Sequence, residues 1–157
     1  MHKISPFLWF NDNAEEAVTF YTSTFKDSKI TATTRYGSGG PGPEGSVMTM
    51  SFELNGQHFT ALNGGPHYSF TPAISFVIMC DDQAEVDHYW DNFLQGGKAM
   101  QCGWITDKFG LSWQVVPSAM ITMMTDKDPK KAQKVAQAMM KMVKLDIAEL
   151  QRAYDEA

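Results

Sequence analysis

The sequence predicts an α+β fold made of two βαβββ modules followed by C-terminal helices. Three observations carry that reading. The order strand, helix, strands and glycine turn occurs twice. At an offset of 68, Val18 meets Val86, Tyr21 meets Tyr89 and Phe25 meets Phe93; beyond a loop that only the first half has, the offset falls to 54, and Asn55-Gly56 meets Phe109-Gly110. Finally, 157 residues with 43% apolar and 20% charged content suit one globular domain. The expected organisation is a single domain, 1–157, with module 1 over about 1–65, module 2 over about 71–117 and a helical tail over about 118–157.

Residues 4–10 are apolar nearly throughout and read as a strand buried on both faces. Asn13 is placed as an N-cap, with Glu15 and Glu16 in the first turn of a helix whose apolar face is Ala14, Ala17, Val18, Tyr21 and Phe25. Ser28–Tyr36 is rich in β-branched residues, and Ser46–Leu54 alternates, with Met48, Met50, Phe52 and Leu54 on one face. Between them, residues 37–45 hold five glycines and two prolines and read as a loop. Asn55-Gly56 signals a two-residue hairpin, with Gln57–Leu62 returning.

A second apolar strand, Ala73–Cys80, leads through Asp81 or Asp82 as cap into a helix ending at Gly96-Gly97. Short strands are expected over about Ala99–Thr106 and Leu111–Val116. In the tail, Asp128 and Pro129 open a helix, and Asp146 with Glu149 opens another through Tyr154. Met124, Met139, Met140 and Met142 suggest an adaptable packing surface there, against the chain's own sheet or a partner subunit, or else a helix that gates the pocket.

Thirteen basic against eighteen acidic residues give a net charge of −5, which speaks against nucleic acid and anionic membrane as partners. No apolar run is long enough to cross a bilayer. Cys80 and Cys102 form neither a disulfide framework nor a zinc pattern, so both read as buried thiols in a cytoplasmic setting.

The stretches NAEEAVTFY, RYGSGGPGPEGSVMTMSFELNGQ, ALNGGP, FTPAISF, QCGW, DKFGLSWQVVP, DPKKA and KLDIAELQRAYDEA resemble the PhnB-like family, also labelled demethylubiquinone methyltransferase-like. Paired βαβββ units likewise resemble the vicinal oxygen chelate superfamily of glyoxalase I, bleomycin-resistance proteins and extradiol dioxygenases. The resemblance implies a U-shaped mixed sheet around a pocket, usually in a homodimer. It also implies metal-holding corners near the positions of Phe7 (or Pro6, if shifted by one), Thr60, Ser75 and Gln114. Those side chains are poor ligands for a divalent transition metal, so no metal and no cofactor is expected. The expected function is small-molecule binding; the alternatives are a lyase, isomerase or oxygenase of the same superfamily, or a methyltransferase.

Strand parity names Phe7, Trp9, Thr60, Ser75 and Gln114 as candidate ligand-binding residues; Trp104 joins them as core or pocket wall, and Arg35 is either a clamp for a carboxylate or phosphate or a surface strand arginine. The 37–45 loop is the natural lid. Glu53 and His58 face each other across the Asn55-Gly56 turn, either as a carboxylate–imidazole acid/base couple or as a plain hairpin-end ion pair. His67 is a linker residue or a donor at the pocket rim.

Overall fold

The computed structural model describes residues 2–157. It divides into two compact units, Met1–Phe70 and Thr71–Ala157. Each contains a four-stranded mixed sheet and the helices packed on it.

In the first unit β1 (Phe7–Phe10) leads into α1 (Ala14–Thr24), followed by β2 (Lys29–Arg35), β3 (Val47–Leu54) and β4 (Gln57–Asn63). The sheet order is β1-β4-β3-β2; β1 runs parallel to β4 and the rest are antiparallel. One face is the core: Leu8, Phe10, Met50, Phe52, Phe59 and Ala61 are buried, as are Ala14, Ala17, Val18 and Tyr21 of α1. Tyr21, Phe52 and Phe59 form a stacked series with ring centroids 6.4 and 5.3 Å apart. The other face bears Phe7, Trp9, Thr49, Ser51, Thr60 and Leu62, which the register aligns.

β1 is therefore not buried on both sides: Phe7 is 61% exposed. Hydrophobicity alone could not distinguish its exposed face from core. Asn13 occupies the N-cap position of α1 but makes no side-chain capping bond. The Ala14 N–H instead donates to Asn63 Oδ1 at 2.8 Å, a cap supplied by β4. The helix stops at Thr24, where Thr22, Ser23 and Thr24 all donate back to main-chain carbonyls of the preceding turn. Asn55 (φ 48°) and Gly56 (φ 83°) take the left-handed conformations that a two-residue hairpin turn needs.

In the second unit β5 (Ser75–Cys80) precedes α2 (Gln83–Leu94), then β6 (Lys98–Ala99), β7 (Trp104–Thr106) and β8 (Ser112–Pro117), in the order β5-β8-β7-β6. Asp82 caps α2 by accepting from Glu85 N at 2.9 Å. Trp113 stacks on Phe93 of α2 at 5.0 Å, tying sheet to helix. Asp107 organises the β7–β8 connection. Nearly buried, it accepts from the Phe109 and Leu111 amides and from the Trp113 indole, all within 3.0 Å.

The tail holds α3 (Ser118–Met124), α4 (Pro129–Met139) and α5 (Ile147–Asp155). α3 has no capping signal in the sequence; it forms where β8 runs out at Pro117. Val116, Met120, Met123, Val135, Met142, Leu145 and Leu150 bury together, so the tail packs on its own module. Gln83 clamps it twice, donating to Leu145 O (3.1 Å) and accepting from Ile147 N (2.8 Å), and Lys144 pairs with Asp87 at 2.7 Å. That contact, with a hydrogen bond from Gln83, holds the Asp87 carboxyl below its ordinary value. Among the described residues no helix is long and apolar enough to cross a membrane.

Candidate functional site

The face of module 1 opposite its core ends in a cleft of about 500 Å³ lined by Trp9, Arg35, Tyr36, Met48, Leu62 and glycines 37, 39, 40 and 64, among others. It brings together two of the residues marked from sequence, Trp9 and Arg35, with the start of the glycine loop. Trp9 and Leu62 are register partners across β1 and β4. The indole N–H donates to Gly65 O at 2.9 Å, so Trp9 offers its ring rather than its donor. Only glycine fits at position 64, because a Cβ there would lie 2.4 Å from the indole. Tyr68 meets the same ring edge-on at 4.9 Å, and His67 lies 6.5 Å away, which puts His67 beside Trp9 at the end of module 1.

Arg35 donates Nη1 to Gly45 O at 3.0 Å, fastening one side of the guanidinium to the far end of the loop. The remaining donors stay available for an anion. Met48 reaches the cleft although simple alternation placed it with the core row. From Thr34 to Arg35 the partner on β3 steps from Thr49 to Val47, so Met48 is the extra residue of a bulge and the alternation breaks at it. Tyr36, which lines the cleft, and Asn63, which braces it, were given no role in the sequence reading. Tyr36 is buried and donates its hydroxyl to Asn63 O at 2.5 Å, while Asn63 Nδ2 donates to Val47 O at 3.1 Å. The signal was available: an Asn before Gly-Gly-Pro at a strand end has amide groups suited to bridging neighbouring backbone.

Elsewhere on this face, Phe7 and Thr60 are register partners as expected, and Thr60 lies 3.4 Å from Ser51 Oγ. Glu53 and His58 are also opposite each other. The Glu53 carboxylate, however, engages Lys29 Nζ at 3.7 Å on the neighbouring strand. His58 makes no hydrogen bond or ion pair with it, so no acid/base couple is assembled.

In module 2, Gln114 Nε2 donates to Ser75 Oγ at 3.0 Å, and Trp104 stands opposite Gln114 in the β7–β8 register. Ser112, fully buried and on the same face by strand parity, is the one buried side-chain polar atom without a hydrogen-bond partner among the described residues. Cys80 is buried as expected, and burial with the nearby carboxylates pushes its thiol up to about 12. Cys102 departs from expectation. It is half-buried, because it occupies a left-handed turn position (φ 60°) before Gly103 rather than a strand.

The implied metal corners can be tested on their donors. Phe7 has none, Thr60 and Ser75 offer neutral hydroxyls, and Gln114 a neutral amide already bonded to Ser75. No three His, Cys, Asp or Glu residues gather into a metal-sized group among the described residues. This donor set does not fit a catalytic divalent metal.

Against known proteins, a family model described as 3-demethylubiquinone-9 3-methyltransferase matches residues 2–116. The chain belongs to the 3-demethylubiquinone-9 3-methyltransferase family. A PhnB protein from Bacillus cereus, described as a candidate member of that activity class, is 38% identical with a TM-score of 0.69, over 74% of this chain and 99% of the other. Protein PA1353 from Pseudomonas aeruginosa shares the fold at 22% identity and a TM-score of 0.62, over 74% and 98%. A glyoxylase/bleomycin resistance protein/dioxygenase domain from Frankia sp. EAN1pec matches more loosely, at 11% identity and a TM-score of 0.47, over 74% and 92%. No curated protein matches. The PhnB-like resemblance is thereby borne out.

The activity in the 3-demethylubiquinone-9 3-methyltransferase family's description implies an adenosyl cofactor. The two turns that lead from a parallel strand into a helix are Asn11-Asp12-Asn13 and Asp81-Asp82. Neither contains a glycine, so neither gives the close backbone approach of a nucleotide-binding turn. The glycine-rich stretch joins antiparallel β2 and β3 instead. These residues do not fit that cofactor. The family match ends at Val116, so the tail helices lie outside it.

Proposed function

We propose that this chain is a small-molecule-binding protein that works without a catalytic metal, and that its ligand has an apolar body and an anionic head. The cleft joining Trp9, Met48 and Leu62 to the free side of Arg35 carries this reading. The hydrocarbon and ring of the ligand lie against Trp9, Met48 and Leu62, and Arg35 takes the anion through its uncommitted donors. The loop at 37–45 provides the cover. Phe7 and Thr60 extend the same face, and the Trp104, Ser75 and Gln114 row, with the unpartnered Ser112 hydroxyl, offers further hydrogen bonding within module 2. A homodimer and a cytoplasmic setting belong to the same proposal; exposed Phe7, Val77 and Met79 on the edge strands β1 and β5 support the first.

Tryptophan fluorescence and calorimetry with an aromatic carboxylate such as phenylacetate test it. Saturable binding is expected, weakened about tenfold or more by Arg35→Ala, the loss of a charged hydrogen-bonded pair. Equal affinity in Arg35→Ala and Trp9→Ala proteins would refute the site. Stoichiometric transition metal in the purified protein would refute the metal-free reading. Light scattering that gives a monomer at micromolar concentration would remove the dimer.

A further inference from the structure

We infer that the anionic head of the ligand is a phosphoryl group, so that the Arg35 cleft takes a phosphate monoester of a small apolar alcohol or phenol. This deepens the reading of that cleft given above and rests on it. The donor set at the start of the glycine loop decides the head.

Gly37, Ser38, Gly39 and Gly40 line the cleft beside Arg35. The main-chain N–H groups of Gly37, Ser38 and Gly39 and the Ser38 hydroxyl bond to no described residue. The Arg35 guanidinium spends Nη1 on Gly45 O and keeps its Nε–Nη2 edge. No described carboxylate lines the cleft, and Tyr36 adds no donor because its hydroxyl proton is spent on Asn63 O. Tyr36, Pro41 and Gly64 also line a second cleft, of about 310 Å³, and the acidic side chains of Asp12 and Glu15 belong to that one. The Arg35 cleft thus gathers one cation and a row of neutral donors with no negative charge among them.

A carboxylate does not use this set. Its two oxygens lie in one plane, and the guanidinium fork alone satisfies both, which leaves the loop amides with nothing to hold. A phosphate monoester carries about −1.5 to −2 charge near pH 7 on three terminal oxygens. The fork takes two of them and leaves the third for successive main-chain N–H groups, the donors from which anion-binding nests are built.

The donors are held before a ligand arrives. Tyr36 N donates to Ser46 O at 2.9 Å and Gly45 N to Tyr36 O at 2.8 Å, closing the base of the loop. Gly40 and Gly42 pack on the Tyr36 ring, where a Cβ would lie 3.1 and 2.4 Å from it. Residues 37–39 therefore hang between fixed points, and ordering them costs a ligand little.

Tryptophan fluorescence and amide chemical shifts of the full chain test this, with phenyl phosphate, phenylacetate and inorganic phosphate as probes. Phenyl phosphate is expected to bind about tenfold or more tightly than phenylacetate, and to move the Gly37, Ser38 and Gly39 amides. Inorganic phosphate, lacking the ring, should bind about tenfold or more weakly than phenyl phosphate. Ser38→Pro removes one amide and one hydroxyl at an exposed turn position, and should shrink the preference for phenyl phosphate over phenylacetate to about threefold or less. If phenylacetate binds as tightly as phenyl phosphate and both need Arg35, the phosphoryl head is overturned while the cleft stands. If neither binds, or Arg35→Ala leaves both affinities unchanged, the cleft itself fails and the inference with it. Amides 37–39 unmoved at saturating phenyl phosphate, an undiminished preference in Ser38→Pro protein, or inorganic phosphate as tight as phenyl phosphate would each overturn the inference too.

Discussion

The two modules repeat one βαβββ plan but elaborate it in opposite ways. Module 1 has two long strands, seven and eight residues in β2 and β3, joined by the glycine loop; both clefts lie beside that loop. Module 2 replaces the loop with the tight Cys102-Gly103 turn and shrinks β6 to two residues. The tail then seizes that turn: Met142 O and Val143 O accept from the Cys102 and Gly103 amides at 2.9 and 2.8 Å. A Cβ on Gly103 would lie 2.8 Å from Leu145. The duplicated units thus diverge, one keeping a long glycine loop beside open clefts and the other exchanging it for a packed buttress.

The sharpest way to break this contrast is through the two equivalent turns. Asp107→Ala strands three donors in the interior of module 2 and is expected to cost about 4 kcal/mol. Gly56→Ala, at φ 83° in the open turn of module 1, should cost about 1–2 kcal/mol. Urea denaturation of both variants measures the difference, and equal losses would mean that the modules are not differently built. Next comes the buttress itself. Leu145→Ala removes a fully buried side chain and should cost about 3 kcal/mol, read in the same way.

A smaller effect follows from pH. Tyr154 donates its hydroxyl to Asp126, which lowers the Asp126 carboxyl below its ordinary 3.8 and raises the Tyr154 phenol above 10. For Asp126 and for Asp87, both depressed, the contribution is present above the ordinary carboxyl value and is lost as pH falls through the folded one. For Tyr154 it is present below pH 10 and is lost as pH rises through the raised value. Tail protection against proteolysis should therefore weaken at both extremes, and Tyr154→Phe should abolish the alkaline arm. The smallest expected effect is chemical: iodoacetamide at pH 8 should label Cys102 and spare Cys80, whose thiol is held protonated.

Most of the fold was legible because periodicity and turn chemistry are local. The 3.6-residue spacing of Val18 and Tyr21, the alternation in β3 and the Asn55-Gly56 turn each specify their own geometry. What could not be read depended on partners distant in sequence. Asn63 caps a helix 49 residues away, Gln83 clamps a tail more than 60 residues away, and Met48 leaves the core row because its pairing with β2 makes it the extra residue of a bulge. Of the site, strand parity put Phe7 on one face with Thr60 and Ser75 with Gln114, whereas the cleft around Trp9 and Arg35 depended on how the glycine loop folds over Tyr36.

The molecule also carries two Asn-Gly steps with very different chemical lifetimes. Succinimide formation requires the asparagine side-chain carbonyl to swing onto the next backbone nitrogen. At Asn63 that carbonyl is held by Ala14 N, and the Gly64 N–H is bonded to Phe10 O, so the step is locked. At Asn55, exposed and unbonded in its turn, both atoms are free. Stored protein should acquire its first extra negative charge at residue 55, at the opposite end of the β3–β4 hairpin from Asn63, while the cap on α1 stays chemically intact.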